Sequence, residues 1–212
     1  MPDEALPGRG SGGPERWGLH GFVDPDLSAP DSRPIWTADR HPSVLAAVAG
    51  APGKAEDAFD LTRFAHVATI ASNARDQEHL LLSDGLRAVR IDVLAGSVVR
   101  GPVQLRYLLG GFESAEKPLL TLRRLLALRR TGRFSRQLHA PEPRARRWIL
   151  MLRTSDALAE GADQREIAAV LLGSAAGEPR WRTHSPSLRS QAQRVVRGAR
   201  QMAAGNYLHL LL

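Results

Sequence analysis

The sequence predicts an α+β chain, a strand-rich meander in the N-terminal half followed by a helical, helix-turn-helix-like C-terminal half. Three observations carry that expectation. Residues 64–109 contain short apolar stretches, one of them strictly alternating, broken by Asp-Gly and Gly-Pro turns. Residues 118–203 instead repeat apolar side chains at three- and four-residue spacing between glycine stops. Charge divides at the same place. Residues 1–111 carry 11 Lys and Arg against 14 Asp and Glu, a net of −3, whereas residues 112–212 carry 18 against 8, a net of +10. The C-terminal half is where an anionic partner would be drawn.

Three segments follow. Residues 1–15 form a leader rich in Gly and Pro that is expected to be disordered. In the strand-rich region, 16–111, an irregular stretch up to Pro42 holds Trp17, Phe22 and Trp36, aromatics suited to packing onto something else. Ser43–Gly50 suggests a helical turn or two. Candidate strands then run over Phe64–Ala71, Glu78–Ser83, Leu86–Leu94 and Val103–Leu109. Asp84-Gly85 signals a two-residue hairpin turn, and Val89, Ile91 and Val93 alternate with Arg90 and Asp92. Gly110-Gly111 marks a boundary, and the helical domain occupies 112–212. Its first helix is expected from Pro118 to Arg130, with Leu119, Leu122, Leu125 and Leu126 inward and Arg123, Arg124, Arg129 and Arg130 outward. A second spans Pro143–Ala159, its apolar side formed by Trp148, Ile149, Leu152 and Leu158, with Gly161 as the stop. Asp163 and Glu166 form a capping-box pattern for a third, which buries Ile167, Val170 and Leu171 and ends at Gly173.

The last helix is the most informative. With Ser185 as N-cap and Pro186 in the first turn, Leu188, Ala192, Val195, Val196, Ala199, Met202 and Ala203 share an arc of about 120°. Arg189, Gln193, Arg197 and Arg200 gather on the opposing side, with Ser190 and Arg194 beside them, and Arg180 and Arg182 just upstream. Guanidinium forks and amides can grip phosphates and read base edges. An ordinary solvated basic face has the same appearance, but no Asp or Glu follows Glu178. Only Lys54 and Lys117 among the 29 basic residues are lysine. A GC-rich coding bias explains that ratio equally well, yet it does not explain the asymmetry. Gly198, at the edge of the apolar stripe, suits a close helix approach.

Several chemistries are disfavoured. The chain has no cysteine, which excludes disulfides, thiol catalysis and Cys-ligated metals. Its seven histidines lie in separate segments with no i, i+4 ligand pair, so no metal or other cofactor is expected. Asp24 and Asp26 flank Pro25 as a turn cap. Gly8–Gly13 lacks a phosphate-loop context, and no Gly-x-Ser-x-Gly occurs, so an enzyme is not expected. No apolar run is long enough to span a bilayer or to serve as a signal peptide, and a cytoplasmic location is expected. No coiled-coil or dimer stripe is readable, which leaves the oligomeric state open.

Several segments together resemble the family named domain of unknown function 2285. They are Trp17-Gly18-Leu19, Phe22-Val23-Asp24-Pro25-Asp26, Trp36, the Gly-Ala-x-x-Arg-Glu-Ile-Ala run at Gly161–Ala168, Trp181, Ser187-Leu188-Arg189-Ser190, and Met202 through Leu208 with Leu211-Leu212. The resemblance implies a helix-turn-helix with a lengthened turn, here Ser174–His184, in regulators of proteobacterial mobile elements such as integrative and conjugative elements. It also implies a companion regulatory protein, encoded in trans because the companion's tryptophan-rich pattern does not precede Trp17. The combined expectation is a transcriptional regulator that binds double-stranded DNA and controls transfer or excision genes. Arg189, Ser190, Gln193, Arg194 and Arg197 would face the groove, and Arg180, Arg182 and Arg200 would grip phosphates. The alternative is an antiactivator, a protein-interaction module that binds a partner regulator rather than DNA.

Overall fold

The computed structural model describes residues 13–14, 18–24, 26–172 and 186–210. These fall into two compact units, Met1–His139 and Ala140–Leu212. The expected order of a strand-rich half followed by helices is observed.

The first unit is built on five strands, β1 (Leu45–Gly50), β2 (Ala68–Ser72), β3 (Glu78–Ser83), β4 (Ala88–Ala95) and β5 (Gln104–Leu108), in the order β2-β3-β4-β1-β5. β2, β3 and β4 form an antiparallel meander. β1 then inserts beside β4 in parallel, and β5 pairs antiparallel with β1. Two expectations are corrected here. Ser43–Gly50 is not helical: Leu45-Ala46-Ala47-Val48-Ala49-Gly50 has hydrogen-bonding partners along both edges, and this tertiary pairing overrides the helix preference of alanine. Nor does β5 complete a simple meander, because the strand beside it is β1 rather than β4.

Local capping explains the remaining boundaries. Asp60 Oδ1 accepts from Thr62 N at 3.0 Å and starts a 3-10 turn over Leu61–Phe64, so the strand expected from Phe64 begins only at Ala68. Between β3 and β4, Ser83 pairs with Ala88, which leaves a four-residue loop where a two-residue turn was expected. Asp84 Oδ1 organises that loop by accepting from Leu86 N at 3.0 Å and Arg87 N at 2.7 Å.

Both faces of the middle strands are covered. On one, Leu80, Leu82, Val89, Ile91 and Val93 join a core with Phe59, Phe64, Leu125 and Leu128, each aliphatic side chain contributing about 1.5–3 kcal/mol. On the other, the His20 ring stacks on His79, with centroids 3.3 Å apart, and Arg33 Nη1 donates to Thr69 Oγ1 at 3.5 Å. The stretch 18–44, which includes a short helix α1 (Ala29–Ser32), thus lies across this second face. It gives the expected packing role to a segment whose Phe22 is nevertheless 66% exposed; Trp17 lies outside the described residues. Asp24 Oδ1 accepts from Asp26 N at 2.9 Å, the turn cap expected there.

α2 (Phe112–Thr131) starts six residues before Pro118, which sits inside it. Its inward stripe is Thr121, Leu125 and Leu128, and Thr121 Oγ1 donates to Ser43 O at 2.6 Å. Leu119 and Leu126, expected inward, are 46% and 53% exposed because the buried stripe runs through Leu125 and Leu128. Arg124, expected outward, is half-buried and donates from Nε to Leu138 O at 2.8 Å. By compactness, α2 belongs with the sheet in the first unit.

In the second unit, α3 (Ala145–Ala159) ends at Gly161, whose φ is +88°. α4 (Gln164–Leu172) and α5 (Pro186–Ala203) follow, with a 3-10 turn over Asn206–Leu210. α5 packs on both α3 and α4. The inward residues of α3 are Met151 and Thr154, while Ile149 and Leu152, expected to be buried, are 57% and 64% exposed. On α4, Ile167 and Ala168 are buried and Val170 is exposed, against expectation; the side chain of Leu171 is outside the described set. Among the described residues no helix is long and apolar enough to cross a membrane.

Two predictions test this frame. Gly96 has φ +80°, and a Cβ there would collide with Ala49 O of β1, so Gly96→Ala is expected to destabilise the protein by about 2 kcal/mol or more in denaturant unfolding. The imidazole of His41 is held down to about 4 by burial and by Arg90, Lys117 and Arg124, while its Nδ1 accepts from Ser43 N at 3.4 Å. Between pH 6.5 and about 4 the unfolded chain therefore takes up a proton that the folded protein refuses. This group's contribution is intact above pH 6.5 and falls as the pH drops towards 4, by about 2 kcal/mol after allowing for its partial exposure. His41→Asn, which can keep the acceptor, should flatten the stability–pH curve in that window.

Candidate nucleic-acid interface

The basic helix is positioned from its opposite face. Ala192 and Ala199, two turns apart, are each 1% exposed, and Val195, Val196 and Met202 are half-buried. A Cβ at Gly198 would collide with Met151 Cε, so glycine there lets α5 approach α3 closely, as its place in the sequence suggests. Ala203, expected in the buried stripe, is exposed, and the Leu188 side chain is not among the described ones.

α4 braces α5, and its own start is fixed by a reciprocal cap. Asp163 Oδ1 accepts from Arg165 N at 2.6 Å and Glu166 N at 2.8 Å, while Glu166 Oε2 accepts from Asp163 N at 2.7 Å. This is the capping box anticipated at Asp163 and Glu166.

Arg189, Ser190, Gln193, Arg194, Arg197 and Arg200 are all exposed on α5. Among the described residues, none of the four arginines forms an ion pair with a carboxylate. Gln193, Arg197 and Arg200 line one shallow cleft, together with Asp163 and Gln164 at the start of α4. Arg189, Ser190 and Arg194 do not line it. Gln164 and Gln201, two further lining residues, were not singled out in the sequence; Gln164 could have been found because it directly follows the capping aspartate. Arg180, Arg182, Trp181, Ser185 and the long connection Ser174–His184 lie outside the described residues.

One other polar cluster calls for a chemical test. His20, His79 and Asp92 place three ligand-type atoms within 4.8 Å of one another in the first unit. His79 Nδ1 donates to Asp92 Oδ1 at 2.8 Å, and its Nε2 accepts from Asn73 Nδ2 at 3.1 Å. Both ring nitrogens of His79 are thus engaged, and the stacked rings meet face to face rather than pointing lone pairs at a shared centre. The set fits a buried hydrogen-bonded pair with a stacked ring better than a metal centre.

Residues 110–212 match the family model of the RovC DNA-binding domain, described as "T6SS, Transcription factor, DNA binding domain". That stretch, just under half of the chain, is similar to a DNA-binding domain of transcription factors, which supports a DNA-binding regulator. The match corrects the resemblance to domain of unknown function 2285: a different family is matched. The short motifs behind that resemblance include a capping box after a glycine stop and a run of small residues, Ala203-Ala204-Gly205, at a helix end. Such motifs recur wherever a helix must start sharply or pack closely, so they do not single out a family. The mobile-element setting and the companion domain rested on that resemblance. No curated protein or solved structure gives a significant match.

The cap yields a direct prediction. Asp163→Ala removes the acceptor of two amide hydrogen bonds and should lower stability by about 1 kcal/mol, with Asp163→Asn losing less, as read from denaturation midpoints.

Proposed function

We propose that the protein is a DNA-binding transcriptional regulator and that α5 is the helix that meets the duplex. The observation that carries this reading is the exposed face of α5, where Arg189, Arg194, Arg197 and Arg200 have no described carboxylate partner, on a helix held rigid from behind by Ala192, Gly198 and Ala199. A guanidinium already paired with a carboxylate would be a poor phosphate ligand; these four form no ion pair among the described residues. The match over residues 110–212 supports the same reading.

Within it, Arg189, Ser190, Gln193, Arg194 and Arg197 face the groove. Arg200 grips the phosphate backbone, as do Arg180 and Arg182 upstream. Gln193 and Arg197 share a cleft with Arg200, so base and backbone contacts would be adjacent along α5. The matched family's description names T6SS, which makes promoters of T6SS genes the first duplexes to test alongside fragments around the protein's own gene.

Fluorescence anisotropy at two salt concentrations tests the proposal. The wild type is expected to bind with a steep salt dependence and to prefer a promoter fragment over a scrambled competitor, and the Arg189/Arg194/Arg197→Ala triple variant to lose both. Gln193→Ala should lose about 1–3 kcal/mol at a single base position, whereas Arg200→Ala should weaken all sequences alike. Equal losses on specific and scrambled duplex for every variant would defeat base reading, and absence of binding at low salt would move the case to a protein partner.

A further inference from the structure

α2 has two apolar faces, and among the described residues only one is buried in the core of the first unit. Thr121, Leu125 and Leu128 point into the core of the first unit. Phe112, Leu119 and Leu126 recur every seven residues, roughly 150° around the helix from that stripe, and are 103%, 46% and 53% exposed. Half-buried Ala115 and Leu122 lie between them at the intervening three-residue spacing. This is the a/d pattern of a helix that pairs with another helix.

Charge along the same face selects the partner. Glu116 precedes Arg123 by seven residues on the flank of the stripe; both are exposed, and among the described residues neither forms an ion pair. Glu116 lies in the N-terminal part of the stripe and Arg123 in the C-terminal part, so a second α2 laid antiparallel brings each Glu116 opposite the other copy's Arg123, twice by symmetry. A parallel copy brings like charges to the same level instead. An acidic or a basic foreign helix would satisfy only one of the two.

We infer that the protein self-associates through the outer faces of α2, two copies pairing antiparallel about a two-fold axis near Leu119 and Leu122, with reciprocal Glu116–Arg123 ion pairs. A stripe whose own charge pattern is self-complementary is what an isologous interface requires. The inference does not rest on DNA binding.

Sedimentation velocity on the full chain tests it. The wild type is expected to show a concentration-dependent dimer. Leu119→Glu, Glu116→Arg and Arg123→Glu should each weaken it tenfold or more, and Glu116→Arg with Arg123→Glu in one chain should restore it. Far-UV circular dichroism and thermal melting confirm that each variant folds, which is expected because these side chains face away from the core. The cysteine-free chain offers a second readout. Leu119→Cys should couple to its counterpart through a short bis-maleimide, while Phe112→Cys, displaced by roughly 25 Å from its counterpart along an antiparallel pair, should not. A wild type monomeric at all concentrations, failure of the double reversal to restore association, or equal coupling at both positions would overturn the proposal. Loss of duplex affinity in α5 variants leaves this association unchanged.

Discussion

Close approach through small side chains is the constraint on which both units depend. In the sheet, β1 is built largely of Ala and Gly and passes so near the end of β4 that Gly96 has no room for a side chain. In the helical unit, Ala192 and Ala199 are sealed in the interior and Gly198 admits Met151. Small residues give up apolar area and gain proximity, and proximity fixes orientation. For α5 the result is a closely seated inner face at Ala192, Gly198 and Ala199, which leaves its basic residues on the opposite, exposed side.

Much of this was legible in the sequence, for identifiable reasons. Glu78–Ser83 appears with the anticipated limits, and Asp163 with Glu166 forms the anticipated cap. These signals are local, set by turn chemistry and capping that act over three or four residues. A close helix approach at Gly198 could also be anticipated, because the glycine sits at the edge of the apolar stripe, although its partner, Met151, could not. The arginines of α5 are exposed where the periodicity placed them, although their contacts with DNA are a proposal.

What escaped the sequence depends on partners distant along the chain. Leu45–Gly50 looks helical by composition and becomes a strand only because β4 and β5 flank it. Leu119, Leu122, Leu125 and Leu126 read as one stripe, yet the sheet takes Leu125 with Leu128 and leaves Leu119 and Leu126 outside. His79 and Asp92 lie 13 residues apart and meet because they face each other across a strand pair. The family resemblance went astray for the complementary reason: motifs demanded by helix physics were read as marks of ancestry.

The layer formed by residues 18–44 bears on where the chain can be divided. β3 is buried along its whole length, and its second face is closed by His20 and its neighbours. A fragment beginning at β1 would therefore present Leu81 and the His79–Asp92 pair to water, on strands already rich in aliphatic residues. Such a truncation creates an adhesive surface out of an interior one. This largely irregular segment thus acts as a built-in solubilising cover, and a proteolytic cut that released it would turn the sheet unit into an aggregation seed.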